Sequence, residues 1–501
     1  SLNYLVKANG TREPNDIYYD SCQWNMKKIK AEEVWFAGYP VGAGVKVAII
    51  DTGVDSSHPE LSGKVIGGWD FCGSCNENND GDYVYINEMG RSIGWWKDLH
   101  GHGTHIAGVI AAQKNNAIGI AGLAAGVQLI AIRFLNSANW GYLSDGVRSL
   151  LKAVEMGADI INASFSFDFT FNVDSDEINL LKSTIDFVND NGILIVAAAG
   201  NNGRNNDRHP HYPSGISNDN IISVAGTAYG TSAFFGYLDE PVMPQSSHCL
   251  NSERISEVYF LEKNVASYTK LKSNYGEDSV DLSAPGKFIY SLSSRYDNVS
   301  TDYRYMHGTS MAAPHVTATA AMVLSQCLAV STNPDVECTY NYVRAQILSN
   351  VDKIPGMREL MTTNGELNAY KALSVNVRLK VAGYQTSRFN LYVRSYDFDE
   401  NLSYYGPNYN AFNGVKSGNI KVRKSFIKNS GSPSTPFKLQ SSISLPSSHS
   451  RDIEKLVVEY TTVDGSYLET YSCGYRNSCY KRIDVPFNAL KVVGTFHYVR
   501  D

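Results

Sequence analysis

Apolar and polar positions divide the chain into two regimes. Up to about residue 373, apolar β-branched runs alternate with segments of helical period. VAIIDTG (47–53) and VQLIAIRFL (127–135) read as strands, LSDGVRSLLKAVEMG (143–157) as an amphipathic helix, ADIINASF (158–165) as a strand, DEINLLKSTIDFVNDNG (176–192) as a helix and ILIVAAAG (193–200) as a strand. Continuous apolar strands alternating with helices predict an α/β domain with a mostly parallel central sheet covered on both faces. HGTSMAAPHVTATAAMVLSQCL (307–328) is a long run of small and apolar residues and predicts a buried helix. Pro314 is placed near its first turn, where a missing backbone donor costs little, and Ser310 at its amino-terminal end. From 375 onward the period changes to two: VNVRLKVAGY, FNLYVRSY, GNIKVRKSF, EKLVVEYTTV and LKVVGTFHYV, separated by Gly, Asn, Ser and Pro turns, predict an antiparallel β-sandwich over 375–501. Polar stretches at 72–98 and 229–278 break the first regime and read as insertions, the second ending near a strand at 279–282.

Composition narrows this picture only a little. With 501 residues, 43% of them hydrophobic, the chain can bury a large core and fill more than one domain. A formal charge of −6 gives no support for nucleic-acid or polybasic membrane binding. No stretch reads as a transmembrane span, and the chain starts at a serine with no signal-like segment. The 8 cysteines are an even number, which fits disulfides and an oxidising compartment. Cys473 with Cys479 and Cys327 with Cys338 are the easiest local pairs. Cys72 and Cys75 have the spacing of a redox or metal pair, yet no second such pair completes a zinc site. Sequons at Asn9, Asn298 and Asn401 permit glycosylation of a secreted chain, whereas Asn162 lies in a core-like segment.

Chemistry enters with Ser310. A hydroxyl fixed at the start of a buried helix is placed to be a nucleophile if a histidine takes its proton and a carboxylate orients that histidine. VAIIDTG delivers Asp51 at a strand end, and HGHGTHIAG (100–108) brings His102 to the start of a small-residue helix. Such groups can converge at the carboxyl edge of a parallel sheet. Their order, Asp then His then Ser, is that of subtilisin. IIDTGVDSSHPEL (49–61), HGTHIAG (102–108), AAAGNNG (197–203) and GTSMAAPHV (308–316) resemble the signature blocks of the subtilisin-like serine proteases, and the likeness extends over about residues 15–373. GELNAYKAL (365–373) is similar to the last helix of such catalytic domains.

The resemblance implies a subtilisin-like three-layer domain over 15–374, preceded by an arm or prodomain remnant at 1–14 and followed by the β-rich domain. It implies a serine endopeptidase acting on peptides or proteins: Ser310 as nucleophile, His102 as general base and then acid, Asp51 as the carboxylate that holds the imidazole, and the Asn201 amide with the Ser310 N–H as oxyanion donors. His105 is then structural, Asn202 a turn residue and His100 an entrance or surface residue. SFSF, that is Ser164, Phe165, Ser166 and Phe167, stands where relatives have Ser-Leu-Gly-Gly along the substrate, so side chains replace two glycines and reshape the pocket. HYP (211–213) places His211 at the base of that pocket, suited either to a polar or acidic side chain or to stacking on an aromatic one. Acid clusters of the kind that select dibasic sites are missing. The family's first calcium site maps to Asp16, Glu60, the Asn116 side chain and the carbonyls of Lys114, Ile118 and Ile120, with glutamate where relatives usually have aspartate. Hard oxygen donors of this kind suit calcium. Asp80 and Asp82 form either a second calcium loop or a solvated acidic turn, and Trp95 and Trp96 either wall the cleft or pin the insertion. A cleaved inhibitory prodomain and a secreted or vacuolar setting complete the expectation. A peptide ligase using the same acyl-enzyme, or a catalytically silent scaffold, is the alternative.

Overall fold

The computed structural model describes residues 13–72, 97–167, 175–228, 273–297, 301–331, 338–354 and 357–373, together with the strands that follow. The chain divides into two units, one of Ser1–Gln326 with Ile347–Leu373 and one of Cys327–Gln346 with Ser374–Asp501.

The first unit is built on a nine-stranded sheet in the order β10-β11-β7-β6-β5-β4-β1-β3-β2. Its strands are β1 (Lys46–Asp51), β2 (Val65–Asp70), β3 (Gln128–Arg133), β4 (Ile160–Ala163), β5 (Leu194–Ala198), β6 (Ile221–Thr227), β7 (Leu282–Pro285), β10 (Asp352–Lys353) and β11 (Gly365–Glu366). All neighbours run parallel except β10 with β11. Every residue of β4, β5 and β6 is buried, as expected of strands covered on both faces. A hairpin of β8 (Ile289–Leu292) and β9 (Tyr303–Met306) stands apart from the sheet. The strand expected at 279–282 begins at Leu282: the Val280 N–H still bonds back to the Gly276 carbonyl, and Asp281 is the first residue to bond across to Ser223 of β6.

Helices follow the same logic. Leu143–Glu155 buries Val147, Leu150 and Ala153 at helical spacing, against a core that includes Ile130, Ile132, Phe134 and Phe165. His102–Ala111 is buried along its whole length, which requires close approach to its neighbours. Gly103 permits it: a Cβ there would collide with the Gly53 carbonyl just past the end of β1. The helix Thr309–Val330 carries Pro314 inside it rather than in its first turn. Proline at 314 removes the N–H that would bond the carbonyl of residue 310, four residues back. The Ser164 hydroxyl takes that role, donating to the Ser310 carbonyl at 2.9 Å.

In the second unit, β12 (Asn376–Gly383), β15 (Ile453–Thr462), β16 (Gly465–Arg476) and β18 (Lys491–Tyr498) form one sheet in the order β12-β18-β15-β16, and β13 (Lys421–Lys428), β14 (Phe437–Ser444) and β17 (Ser478–Val485) another. Their pairs are antiparallel except for β12, which runs parallel to β18. Alternation predicts which face a residue takes but not the direction of its neighbour. Cys327 and Cys338 form a disulfide with S–S 2.06 Å, and no described cysteine is free. Asp80, Asp82, Trp95, Trp96, Asn9, Asn298 and Asn401 lie outside the described residues. Asn162 is fully buried. Among the described residues, no helix is long and apolar enough to cross a membrane.

Candidate active site

The carboxyl edge of the parallel sheet gathers the residues singled out from the sequence. Asp51 is the last residue of β1, fully buried, and His102 is the first of its helix, entered through Gly101 at φ +81°. His102 Nδ1 lies 2.8 Å from Asp51 Oδ1 and 3.0 Å from Oδ2. A carboxylate at that distance fixes the proton on Nδ1 and leaves Nε2 to accept another. Burial alone would push the imidazole down, but the charge and hydrogen bond of Asp51, with Asp98 beyond it, hold its pKa above the ordinary histidine value.

Ser310 enters from the second residue of its helix. Its Oγ donates to the Ser164 carbonyl at 3.0 Å, and Ser164 Oγ returns a bond to the Ser310 carbonyl at 2.9 Å. This reciprocal pair clamps the serine against the end of β4, and Asn162 steadies it by donating to Ser164 Oγ at 2.9 Å. The resting hydroxyl is therefore bonded to the substrate-side segment.

Asn201 is oriented by the residue before the serine. Its Oδ1 accepts the Thr309 N–H at 2.9 Å and lies 3.1 Å from the Thr309 hydroxyl, while Thr309 Oγ1 accepts the Gly200 N–H at 3.1 Å. With the oxygen pinned, Nδ2 is the end presented beside Gly308, where a Cβ would come within 3.3 Å of it.

The segments expected to line the pocket also meet. Phe167 forms an antiparallel bridge to Tyr212, donating its N–H to the Tyr212 carbonyl at 2.9 Å. His211 accepts or donates at Nδ1 with Ser214 Oγ at 2.9 Å, and its ring lies against Gly200, where a Cβ would come within 2.6 Å of Nε2. Ser166 is exposed. Phe165 and Phe167 turn the other way, edge-on to each other at 5.3 Å, with Phe165 edge-on to Phe134 at 4.9 Å. The bulk that replaces the second glycine is therefore absorbed by the core under Gly146, and Ser166 alone adds side chain to the exposed edge.

The other histidines separate clearly. His105 is fully buried, donates from Nε2 to the Ile289 carbonyl at 3.0 Å, and is driven well below the ordinary histidine value by burial. His100 is half-buried, its ring centroid 6.0 Å from that of His102, and Arg304 of β9 donates to its carbonyl at 2.5 Å. Asp98, which the sequence reading passed over as part of an insertion, is fully buried and bonded to the first turn of the His102 helix.

A second cluster lies past the other end of that helix. Asp16 accepts the N–H groups of Asn115 at 2.9 Å and Asn116 at 3.2 Å. Glu60 accepts the Ile120 N–H at 2.8 Å, the Asn116 side-chain amide at 2.9 Å and the Tyr303 hydroxyl at 3.1 Å. Burial raises the pKa of both carboxylates, and the charge of Asp16 raises that of Glu60 further. Asn116 Oδ1 accepts the Ile118 N–H at 3.0 Å, and the Lys114 ammonium lies 5.1 Å from the centre of the Trp35 ring. Among the described residues, neither Asp16 nor Glu60 is in an ion pair, and no group of three or more His, Cys, Asp or Glu is arranged to hold a metal by itself. Two buried carboxylates and an amide, brought together from residue 16, the turn Pro59–Leu61 and the loop 113–122, are nonetheless the donor chemistry a hard cation takes, with backbone carbonyls making up the rest.

Comparison with known proteins agrees with this geometry. Residues 42–370 match the model of the subtilase family of peptidases. Thermitase from Thermoactinomyces vulgaris is 32% identical over 360 residues, which is 72% of this chain and 99% of thermitase. A thermophilic serine proteinase from Bacillus sp. (strain AK1) is 32% identical over 372 residues, covering 74% of this chain and 71% of that protein. Among solved structures, a protease from Pseudoalteromonas arctica superposes with a TM-score of 0.50 at 26% identity, over 72% of this chain and 98% of that one.

Proposed function

The chain belongs to the subtilase family and is a serine endopeptidase that hydrolyses peptide bonds through an acyl-enzyme, and on that premise we propose that Asp51, His102 and Ser310 carry the reaction. The observation that carries this reading is the buried 2.8 Å bond from Asp51 to His102 Nδ1, which leaves Nε2 free to act as base. A substrate carbonyl drawn into the cleft moves the Ser310 hydroxyl off Ser164 and toward His102. Nε2 takes its proton as Oγ attacks, and the tetrahedral oxyanion is met by Asn201 Nδ2 and the Ser310 N–H. His102 then gives the proton to the departing amine, and water repeats the sequence on the acyl-enzyme.

Ser164, Ser166 and His211 form the substrate side of the cleft, with Phe165 and Phe167 supporting it from beneath. His211, packed on Gly200 beside Asn201, sets the depth of the pocket for the residue before the scissile bond. The loop 113–122 with Asp16 and Glu60 is the site of a structural calcium ion: Asp16, Glu60 and Asn116 would hold it with the carbonyls of Lys114, Ile118 and Ile120. Bound there, a calcium ion would neutralise the buried Asp16–Glu60 pair in a structural role. The Cys327–Cys338 disulfide supports an oxidising setting, secreted or within a secretory or vacuolar compartment, and the family resemblance supports synthesis with an inhibitory prodomain. The two sheets after 375 are read as a β-sandwich that serves as a stabilising, docking or carbohydrate-binding module.

The test compares the wild-type chain with Ser310→Ala on a diverse peptide library, in calcium and in chelator, with products read by mass spectrometry. Fragments that need Ser310 support the reading, and those fragments report the preference at the cleaved bond. Equal fragments from both chains overturn it.

A further inference from the structure

Asp98 is as deeply buried as Asp51 but belongs to no strand or helix. One of its oxygens accepts the Thr52 hydroxyl at 2.7 Å and the Gly101 N–H at 2.6 Å. The other accepts the Thr104 N–H at 2.8 Å and the Thr104 hydroxyl at 2.6 Å. Gly101 and Thr104 bracket His102 on the first turn of its helix, whereas Thr52 follows Asp51 at the end of β1. One carboxylate is thus bonded to both elements that bring acid and base together. The Thr52 hydroxyl has a single proton to give, and it lies closer to Asp98 than to Asp51 Oδ1, at 2.7 against 3.1 Å. Thr52 reaches Asp51 with its backbone N–H instead, at 2.7 Å, and its hydroxyl oxygen accepts the Gly103 N–H at 3.0 Å.

We propose that Asp98 is a positioning residue of this protease: it fixes the His102 helix against the end of β1, and its charge behind the Asp51–His102 pair stabilises the imidazolium that forms when Ser310 gives up its proton. The proposal rests on the triad reading above. The charged and titratable groups facing His102 are Asp51 from β1, Asp98 and His100 from the loop before it, His105 further along its own helix and Arg304 from β9. Asp51 and Asp98 favour the imidazolium and Arg304 opposes it. His100 and His105 are both driven toward the neutral form by burial. Removing the charge of Asp98 therefore leaves Asp51 alone against Arg304, and His102 holds its proton less tightly.

The experiment measures kcat and KM across pH for the full chain carrying Asp98→Asn or Thr52→Val, with active sites counted by phosphonate titration. Asp98→Asn is expected to lower kcat per active site by about 10- to 100-fold with KM changed less than about two-fold, and to move the acid limb of kcat/KM to lower pH. Thr52→Val keeps the bonds from Asp98 to the helix but removes its link to β1 together with the acceptor of the Gly103 N–H, so its kcat falls by about 3- to 10-fold. Normal kcat per titrated site with an unmoved limb in Asp98→Asn overturns the proposal, since that is what a merely structural carboxylate would give. If Asp98→Asn does not fold, Thr52→Val decides: unchanged kcat per site overturns it. Ser310→Ala and His102→Ala run alongside, and a kcat within about ten-fold of wild type in either would sink the triad reading instead, a result distinct from a failure at Asp98.

Discussion

The helix His102–Ala111 has a pair of buried carboxylates near each end, and the two pairs live under opposite electrostatics. At its amino-terminal end, Asp51 and Asp98 meet N–H groups of the first turn, the positive end of the helix dipole and an imidazole that can take a proton. Beyond its carboxyl-terminal end, Asp16 and Glu60 meet neutral donors from the loop and from Tyr303, on the side where the dipole favours cations. A helix end contributes only about 0.3–1 kcal/mol to an exposed charge and up to about 2 kcal/mol in partly buried geometry. That is enough to bias each pair but not to neutralise it. The lesson is that the first pair is met by an imidazole that can take a proton, whereas the second has no such partner among the described residues and is where we propose an ion from outside. On the proposed reading, catalysis and calcium binding are two answers to the same problem of burying two negative charges.

The comparison breaks most sharply at the nucleophile. Ser310→Ala should lower kcat on the order of 10⁶-fold, leaving the melting temperature in calcium nearly unchanged, because the lost hydroxyl is bonded only to the Ser164 carbonyl. Peptide turnover and calorimetry on the same preparation check both halves. Next comes Asn201→Ala, which removes the amide beside Gly308 and should lower kcat by about 10² to 10³ with little change in KM. A large rise in KM with kcat intact would mean that Asn201 binds substrate rather than the oxyanion. The wild-type acid limb of kcat/KM should lie above the ordinary histidine value. The working base is the neutral imidazole, and the raised pKa of His102 means that activity is lost as pH falls through it.

Sequence reading singled out these residues for a physical reason. Asp51, His102, Asn201 and Ser310 each sit inside a short contiguous motif whose neighbours fix the local backbone, so the chemistry is written next to its scaffold. Asp98 is different: its partners Thr52 and Thr104 come from two motifs, and it stands at the border of what read as an insertion. The available signal was local, an acid just before a glycine and a helix start, which is capping chemistry. The inward turn of Phe167 was illegible because it needs Phe134 and the space over Gly146 to be known together. The freed carbonyl at Ser310 was legible in principle, since a proline always orphans the carbonyl four residues back, yet Ser164 as its partner was not. The parallel pairing of β12 with β18 lay beyond any periodicity argument.

At the other end of the helix the expected effects are smaller and fall on stability. Chelation should lower the melting temperature by several degrees, since an ion at about a hundred times its Kd contributes about 2.7 kcal/mol. Glu60→Gln keeps the length of the side chain while removing its charge. It should shrink the difference between calcium and chelator without touching kcat in calcium-saturated enzyme. If the chelator shift survives Glu60→Gln intact, the ion sits elsewhere and the two helix ends are not analogous.

The smallest effect is expected at the pocket floor, and it asks whether the catalytic end of the helix also sets specificity. His211 packs on Gly200, whose φ of +103° and contact with the imidazole leave no room for a larger residue there. His211→Ala opens space without disturbing Asn201, because the Asn201 oxygen is held from the opposite side by Thr309. The variant should therefore keep its kcat on a small residue before the scissile bond and gain on larger apolar ones. One or two methylenes in such a pocket are worth about 1–3 kcal/mol, so the preference shifts by about 10- to 100-fold at most. A peptide library cleaved by both enzymes checks it. An unchanged profile would mean that the exposed edge at Ser166, not the floor, selects the substrate.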